Sequence, residues 1–411
     1  MKIVIVNQPM GNRGDESAHR AMVRSLVKSY PKVDIELLVS GFSFDQIKDI
    51  IVDVPNIKYS ILNSSRGEFR IIDWAIFFRC KFLLNIIPSN RKLMKSFHSA
   101  DLVVCAPGGI CMGGFQNWRH VYYLLIAKMM NKPIAYFGRS IGPFPTRTKS
   151  ERKFRKYAYN LLHYFSFISL RDSKSVRIAL DGKIDLVSTV DTAFLDSTKG
   201  EIPFRIKEQI RGARFIVFVP NSLTWHYAFK EFSQELIDKF YIGLLKKILE
   251  KEPEIKILML PQLHNFMHND DKYYFADLLE KVSNKRIKLI DDMYGSDIQQ
   301  SIISRAEYVV GARYHSVVFA INQAVPFVSL SYEHKMTGLL EMLGIEDCMV
   351  DITNIFADEY RVDSAISNVM AKINNTQQNV LKSKEWQNKA KLIAGNGFES
   401  FKTFINSIKT I

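Results

Sequence analysis

The chain has 411 residues, 47% hydrophobic and 24% charged, which excludes a disordered or fibrous protein and allows two domains with separate cores. A formal net charge of +14 favours polyanionic partners, namely nucleic acid, an anionic membrane surface or phosphorylated substrates, without choosing among them. Four cysteines (Cys80, Cys105, Cys111, Cys348) lack CxxC pairing, which argues against a zinc cluster and fits a reducing cytoplasm.

The opening Met-Lys-Ile-Val-Ile-Val-Asn is a strand pattern and not a charged leader with an apolar core, so no secretory signal is expected, and no run is long and apolar enough for a spanning helix. Residues 2–7 read as a buried strand, 8–15 (QPMGNRGD) as a glycine-punctuated loop, and 16–28 as a helix with Ala18, Ala21, Met22 and Leu26 on its apolar side. Asn12, Gly14 and Asp15 then lie over the carboxyl end of the first strand, where Asp15 suits an N-cap and Gly14 a turn. Two glycines at this spacing do not make the GxGxxG dinucleotide fingerprint. Residues 34–39 alternate as a strand, 45–52 suggest a helix and 58–62 a third strand.

Residues 69–87 break this rhythm with Ile71, Ile72, Trp74, Ile76, Phe77, Phe78, Phe82, Leu83, Leu84, Ile86 and Ile87. Arg66, Arg70, Arg79, Lys81, Arg91, Lys92 and Lys95 flank or interrupt them. That is the composition of a helix lying in an anionic membrane interface, which predicts peripheral contact with the inner membrane surface. A helix tucked against the first domain has the same composition, and the sequence leaves both open.

Residues 101–106 form another buried strand, ending on Pro107-Gly108-Gly109-Ile110-Cys111-Met112-Gly113-Gly114, whose glycines let backbone amides approach a ligand closely. A helix is expected at 121–130. The strand at 133–137 runs into Gly138-Arg139-Ser140-Ile141-Gly142-Pro143, which puts Arg139 at a strand end. Residues 149–162 are a basic helix with a solvated face. The strand at 167–170 ends on Arg171-Asp172-Ser173, where Arg171 can bind a carboxylate or phosphate bidentately and Asp172 can neutralise it. The strand at 187–190 ends on Asp191-Thr192-Ala193.

Residues 198–211 are polar and aperiodic, which divides a first domain (1–197) from a second (212–364). The second begins with a strand at 215–219, then Pro220-Asn221-Ser222 and an aromatic loop (Trp225, His226, Tyr227). A helix (234–251), a strand (256–260) ending on Pro261-Gln262, a helix (270–282), a strand (287–290) and a helix (295–304) follow. His264 and His268 sit four apart, but no third ligand or HExxH glutamate accompanies them, so no metal is assigned. Residues 365–411 read as helices that pack back across the first domain.

The stretch 306–343 (AEYVVGARYHSVVFAINQAVPFVSLSYEHKMTGLLEML) is a βαβ unit: strand 308–310, a glycine turn, Arg313-Tyr314-His315-Ser316, helix 317–322, and strand 327–330 ending on Tyr332-Glu333-His334-Lys335. Ligands of open parallel sheets bind at strand carboxyl ends, and helix amides from Ser316 would present a positive dipole end there. Arg313, His315 and Lys335 thus converge on one anion, with His315 the group able to move a proton near neutral pH. Capping of the helix is the alternative use of Arg313 and His315.

Gly-Ala-Arg-Tyr-His-Ser followed by an apolar helix, Pro-Phe-Val-Ser-Leu-Ser-Tyr and a lysine resembles the polysaccharide pyruvyl transferases. The resemblance extends over most of the chain and takes in Gly11 to Asp15 as Gly-Asn-x-Gly-Asp, Gly138 to Pro143 as Gly-x-Ser-Ile-Gly-Pro, and Arg171-Asp172-Ser173. Asp191 to Phe194 matches the family's Asp-Pro-Ala-Phe turn, with threonine in place of proline. The resemblance implies an α/β fold of two Rossmann-like domains facing a cleft, the GT-B arrangement. It also implies transfer of the enolpyruvyl group of phosphoenolpyruvate to a sugar of a cell-surface polysaccharide or its lipid-linked precursor, leaving a pyruvate ketal. The donor set expected is Arg139, Arg171, Arg313, Ser316 and Lys335, and the acceptor set Asn12, Gly14, Asp15, Gly108, Gly109 and Asp191. His315, Arg313 and Lys335 are the catalytic expectation: a general acid for the methylene carbon, with cations for the enol phosphate and departing phosphate. No metal or other cofactor is called for.

Two other classes fit parts of the sequence. A GT-B glycosyltransferase would use the same helix amides and cations for a nucleotide sugar, with Glu333 the candidate carboxylate for the ribose. A module for RNA or an anionic surface would explain the charge, but no aromatic-basic recognition motif accompanies it, so nucleic acid is not expected as a partner.

Overall fold

In a computed structural model of the protein, the structure describes residues 1–48, 51–52, 54–62, 68–226, 228–264, 270–376 and 378–409. The chain forms two compact units, one of Met1–Met10, Ala18–Asp196 and Ile393–Ile411, the other of Gly11–Ser17 and Ser197–Leu392. Two segments depart from the division drawn from composition. Gly11–Ser17 cluster with the second unit, and of the C-terminal residues only those from Ile393 onward join the first.

The first unit is built on a sheet of eight strands: β1 (Lys2–Val6), β2 (Asp34–Ser40), β3 (Ile57–Leu62), β4 (Leu102–Cys105), β5 (Gly108–Met112), β6 (Ile134–Ile141), β7 (Phe167–Leu170) and β8 (Val187–Ser188). Its order is β3-β2-β1-β4-β6-β7-β8, all parallel, with β5 paired to β6. A parallel sheet covered on both faces needs continuous apolar strands, and Ile3-Val4-Ile5-Val6 supplies one. Successive residues point to opposite faces, so Val4, Val6, Val103 and Cys105 enter one core while Ile3, Ile5, Leu102 and Val104 enter the other. The second core is closed by the C-terminal helix Asn379–Lys409, whose Phe401 stacks on Phe137 at 4.5 Å and packs on Phe167 at 5.1 Å.

Three local expectations change. The glycine loop after β4 contains a strand, because β6 runs to Ile141, beyond the β4 pairing, and offers an edge on which Gly108–Met112 pairs. Residues 45–52 are helical over Phe44–Ile47, and residues 49 and 50 of that stretch lie outside those described. Residues 69–87 are not one helix: the helix Glu68–Phe77 stops, Arg79 takes a left-handed φ of 51°, and a 3₁₀ turn Lys81–Ile86 follows. Arg66 lies outside the described residues.

The second unit has six parallel strands: β9 (Phe215–Val219), β10 (Lys256–Met259), β11 (Ile287–Leu289), β12 (Val309–Gly311), β13 (Phe327–Ser331) and β14 (Met349–Asp351). Their order is β11-β10-β9-β12-β13-β14. From β9 the chain steps outward to β10 and β11, then returns to β12 on the other side of β9. That reversal opens a crevice at the carboxyl ends of β9 and β12, the place where such sheets receive ligands. The interval 198–211 carries a short helix (Phe204–Ile210), and 365–411 resolve into the helices Glu359–Asn374 and Asn379–Lys409.

Candidate active site

The second unit's switch point gathers side chains from four strand ends. After β12, Gly311 lies so close to Ser316 that a Cβ would overlap its Oγ. The Ser316 hydroxyl and amide both donate to the Arg313 carbonyl (2.5 and 3.0 Å), closing the turn that starts the helix Tyr314–Asn322. Ser316 therefore holds the backbone of the motif. The Arg313 guanidinium is ion-paired with Asp271 and lies over the Trp225 ring, 5.8 Å from its centroid. Burial pulls the pKa of Arg313 down, but the Asp271 carboxylate prevails and holds it above the ordinary value. Asp271 also accepts the amides of Gln262 (3.0 Å) and Leu263 (2.9 Å), so one carboxylate fixes both the arginine and the loop after β10.

His315 is buried, edge-on to Tyr314 (4.9 Å) and tilted against Phe319 (6.2 Å). Its other neighbour comes from the start of the chain. A Cβ built on Gly14 would overlap the His315 ring, so only glycine lets the two approach. The Gly11–Ser17 segment is laid there by a short antiparallel pairing with the loop after β10: Arg13 N donates to Gln262 O (2.9 Å), His264 N donates to Gly11 O (2.8 Å), and Asn12 bridges Leu263. Arg13 donates to Glu16 (2.8 Å), and Glu16 accepts the amide and hydroxyl of Ser296 (3.1 Å each), anchoring the segment to the helix Ser296–Ile303. The following helix begins at Arg13, earlier than expected. Its cap is Asn12, whose Oδ1 accepts Gly14 N at 2.8 Å and Asp15 N at 3.4 Å, so Asp15 sits in the first turn and is not the cap.

After β13, Glu333 is buried between Lys335 (2.5 Å) and His226 (3.5 Å). Burial pushes the Glu333 pKa up, but the Lys335 ammonium, with His226, holds it below the ordinary carboxylate value. His226 is pulled below its ordinary value, chiefly by desolvation. Lys335 also faces the Tyr314 ring at 5.9 Å. After β9, Asn221 accepts from Trp225 Nε1 (2.9 Å) and donates to the Tyr332 hydroxyl (2.6 Å), tying the aromatic loop to the β13 end. Tyr227 and His268 lie outside the described residues. His264 is buried, and desolvation aided by Arg13 lowers its pKa to about 4.

The site residues expected in the first unit have internal partners. Arg139, 1% exposed, donates to the carbonyls of Asn7 (3.3 Å), Ala106 and Gly109 (3.1 Å), bridging the ends of β1 and β4 where that sheet reverses. Arg171, 0% exposed, is ion-paired with Asp191 and donates to Ser140 Oγ (3.2 Å). Asp191 also accepts Ala193 N (2.9 Å), and Asp172 caps the helix Ser173–Asp181 through Ser175 N (2.8 Å). Gly138, at φ 58°, sits where a Cβ would overlap Thr192. By contrast Arg313 and Lys335 keep 12% and 20% of their side chains exposed, enough to present a charged edge to a ligand. Asn221, Trp225, His226, Asp271 and Tyr332 were not singled out as site residues. The one signal available for Asn221, Trp225, His226 and Tyr332 was that each follows an apolar strand's carboxyl end, whereas Asp271 opens a helix well beyond β10.

This architecture defines the class: an α/β protein of two Rossmann-like domains, of GT-B type. It is similar along nearly its whole length to the UDP-GlcNAc 2-epimerase of Neisseria meningitidis (TM-score 0.58, 12% identity, 99% of this chain and 100% of that one). A second likeness is to the UDP-GlcNAc 2-epimerase of Methanocaldococcus jannaschii (TM-score 0.54, 15% identity, 89% and 92%). The sequence model of the polysaccharide pyruvyl transferase family matches residues 12–334, and the chain belongs to that family of transferases. A relative is the amylovoran biosynthesis protein AmsJ of Erwinia amylovora, 22% identical over 402 residues that cover 92% of each chain.

Proposed function

We propose that the protein transfers the enolpyruvyl group of phosphoenolpyruvate to a saccharide hydroxyl and closes a pyruvate ketal. The observation that carries this is the packing of Gly14 on the buried His315 ring, in a motif whose Arg313 keeps 12% of its side chain exposed and whose Tyr314 ring is faced by the 20% exposed Lys335 at 5.9 Å. Arg313, held by Asp271, binds the donor carboxylate through its planar fork. Lys335, held by Glu333, meets the phosphate and stabilises it as it departs. His315 gives its proton to the methylene carbon, so the adjacent carbon becomes electrophilic and accepts a sugar hydroxyl. Loss of inorganic phosphate and attack by a second hydroxyl complete the ketal; of the two hydroxyl protons released, one restores the proton given to the methylene carbon and the other leaves with the phosphate.

Arg139 and Arg171 support this by shaping the strand ends of the first unit, and Gly108 and Gly109 there carry the backbone groups assigned to the acceptor. The acceptor belongs to a cell-surface polysaccharide or its lipid-linked precursor, met through peripheral contact with an anionic membrane. Glu333, the carboxylate a nucleotide-sugar enzyme would offer to a ribose, is spent on Lys335 and His226, which weighs for the pyruvyl reading. Equilibrium binding of labelled phosphoenolpyruvate, with UDP as competitor, tests the donor. Saturable phosphoenolpyruvate binding lost in Arg313→Ala is expected. Binding of UDP alone would replace the reading with nucleotide-sugar transfer.

A further inference from the structure

The helix Glu68–Phe77 and the 3₁₀ turn Lys81–Ile86 are anchored to the first unit by a defined apolar set. Ile72, Ala75 and Leu84 are buried in its core, with Phe69, Ile76 and Leu83 packed against it. A second set faces outward: Trp74 (62% exposed), Phe77 (79%), Phe78 (67%), Phe82 (73%) and Ile86 (58%). Fourteen large apolar residues are more than half exposed among the described residues, and five of them fall within this one stretch, which scattered surface residues would not do. Phe77 and Phe78 are fixed edge-to-face at 5.0 Å where the helix ends, and the left-handed Arg79 turns the chain so that Phe82 follows on the next element.

Charge surrounds this apolar set. Arg70, Arg79, Lys81, Arg91, Lys92 and Lys95 are exposed on it or on the adjoining helix Pro88–His98. The acids of the same stretch are engaged: Glu68 accepts from Ser89 (2.8 Å), and Asp73 pairs with Lys153 (2.8 Å). That pair adds the basic helix Lys149–Leu162 to the same side of the unit. Self-association through this surface would set cations against cations, whereas an anionic bilayer complements them.

We propose that this surface docks the protein on an anionic phospholipid bilayer, with Trp74, Phe77, Phe78, Phe82 and Ile86 entering the boundary between headgroups and acyl chains and the lysines and arginines meeting the phosphates. It deepens, and rests on, the peripheral-contact reading above, but not on the chemistry of transfer. Co-sedimentation of the full chain with mixed phosphatidylcholine–phosphatidylglycerol vesicles is the test, and binding should be at least about tenfold weaker to pure phosphatidylcholine. The triple variant Phe77→Ser, Phe78→Ser, Phe82→Ser, which leaves Ile72, Ala75 and Leu84 in place, should lose binding by at least about tenfold. Arg70→Gln with Lys81→Gln should weaken it and reduce its salt dependence, and a blue shift of tryptophan fluorescence on vesicles should diminish in Trp74→Phe.

Phosphate release from phosphoenolpyruvate with a soluble glycoside should be unchanged in the triple variant, which separates docking from catalysis. No vesicle binding by the wild type, binding that survives the triple variant, or an apolar surface occupied by a second copy in solution would each overturn the proposal. Vesicle binding by a protein that never consumes phosphoenolpyruvate would uphold docking and overturn the function assigned above.

Discussion

Gly14→Ala places a methyl group where the His315 ring now lies. The ring cannot turn aside freely, since Tyr314 and Phe319 box it at 4.9 and 6.2 Å and the helix that carries it is buried along all nine residues. The strand-like pairing at Asn12 and the Arg13–Glu16–Ser296 anchor hold the other side. Overpacking of a closed site costs ~1–3 kcal/mol. Alanine recovers about 1 kcal/mol of that through helix propensity, so the net loss of stability should be about 0–2 kcal/mol. The larger effect falls on catalysis, because displacing a reacting group by ~1 Å can cost ~10²-fold in turnover. Urea unfolding and phosphate release should therefore separate: a modest shift in midpoint, a large fall in kcat. Gly395→Ala, on the C-terminal helix where a Cβ meets nothing within 4 Å, is the control and should retain full activity. A Gly14→Ala enzyme with wild-type kcat and wild-type stability would refute the idea that this glycine seats the histidine.

Four further outcomes follow from the same geometry. His315→Gln keeps a hydrogen-bond donor but cannot give up a proton, so kcat should fall by ~10²–10⁴-fold with donor affinity little changed; a near-wild-type rate would make His315 a positioning group. Arg313→Lys should weaken phosphoenolpyruvate binding by about 1.5–3 kcal/mol, since an ammonium reproduces neither the fork nor the hold of Asp271; unchanged affinity in calorimetry would remove the bidentate contact. Arg171→Met strands Asp191 in the interior and should destabilise the fold by ~3–5 kcal/mol in urea, with Asp191→Asn on the same background recovering part of it. Burial, aided by Arg20 and Arg13 respectively, lowers His19 to about 3 and His264 to about 4, below the ordinary 6.5. The unfolded chain then binds more protons, so stability is full above about pH 6.5 and falls as the pH drops toward 4; a flat profile across that window, or one with the same slope in His19→Leu, would contradict this.

Much of the architecture was legible because parallel strands buried on both faces must read as short continuous apolar runs. Ile3 to Val6, Leu102 to Cys105 and Phe215 to Val219 announce themselves in this way. The convergence of the Asn12–Asp15 motif with His315 was legible only as two separate strand-end motifs, since no local pattern says that Gly11–Ser17 pairs with the loop after β10. Arg139 and Arg171 show the opposite limit. Both stand at strand ends, as ligand-binding arginines do, yet carbonyl groups and Asp191 are there to receive them, and a sequence does not reveal which partner arrives. Asp271 escaped notice because it looks like any acidic residue in a helix's first turn, while its two oxygens tie Arg313 to the loop after β10. The exposed aromatics at 74–86 fell between two readings, since buried and exposed apolar residues are interleaved along the helix Glu68–Phe77 and the 3₁₀ turn Lys81–Ile86.

The central claim is that the Gly14–His315–Arg313 arrangement transfers an enolpyruvyl group. Incubating the purified protein with phosphoenolpyruvate and a panel of β-linked glycosides, while following inorganic phosphate and the ketal methyl signal by NMR, addresses it most directly. The account predicts one phosphate released per ketal formed, and loss of both in His315→Gln. Phosphate release without a ketal, or no consumption of phosphoenolpyruvate alongside turnover of a nucleotide sugar, would contradict it.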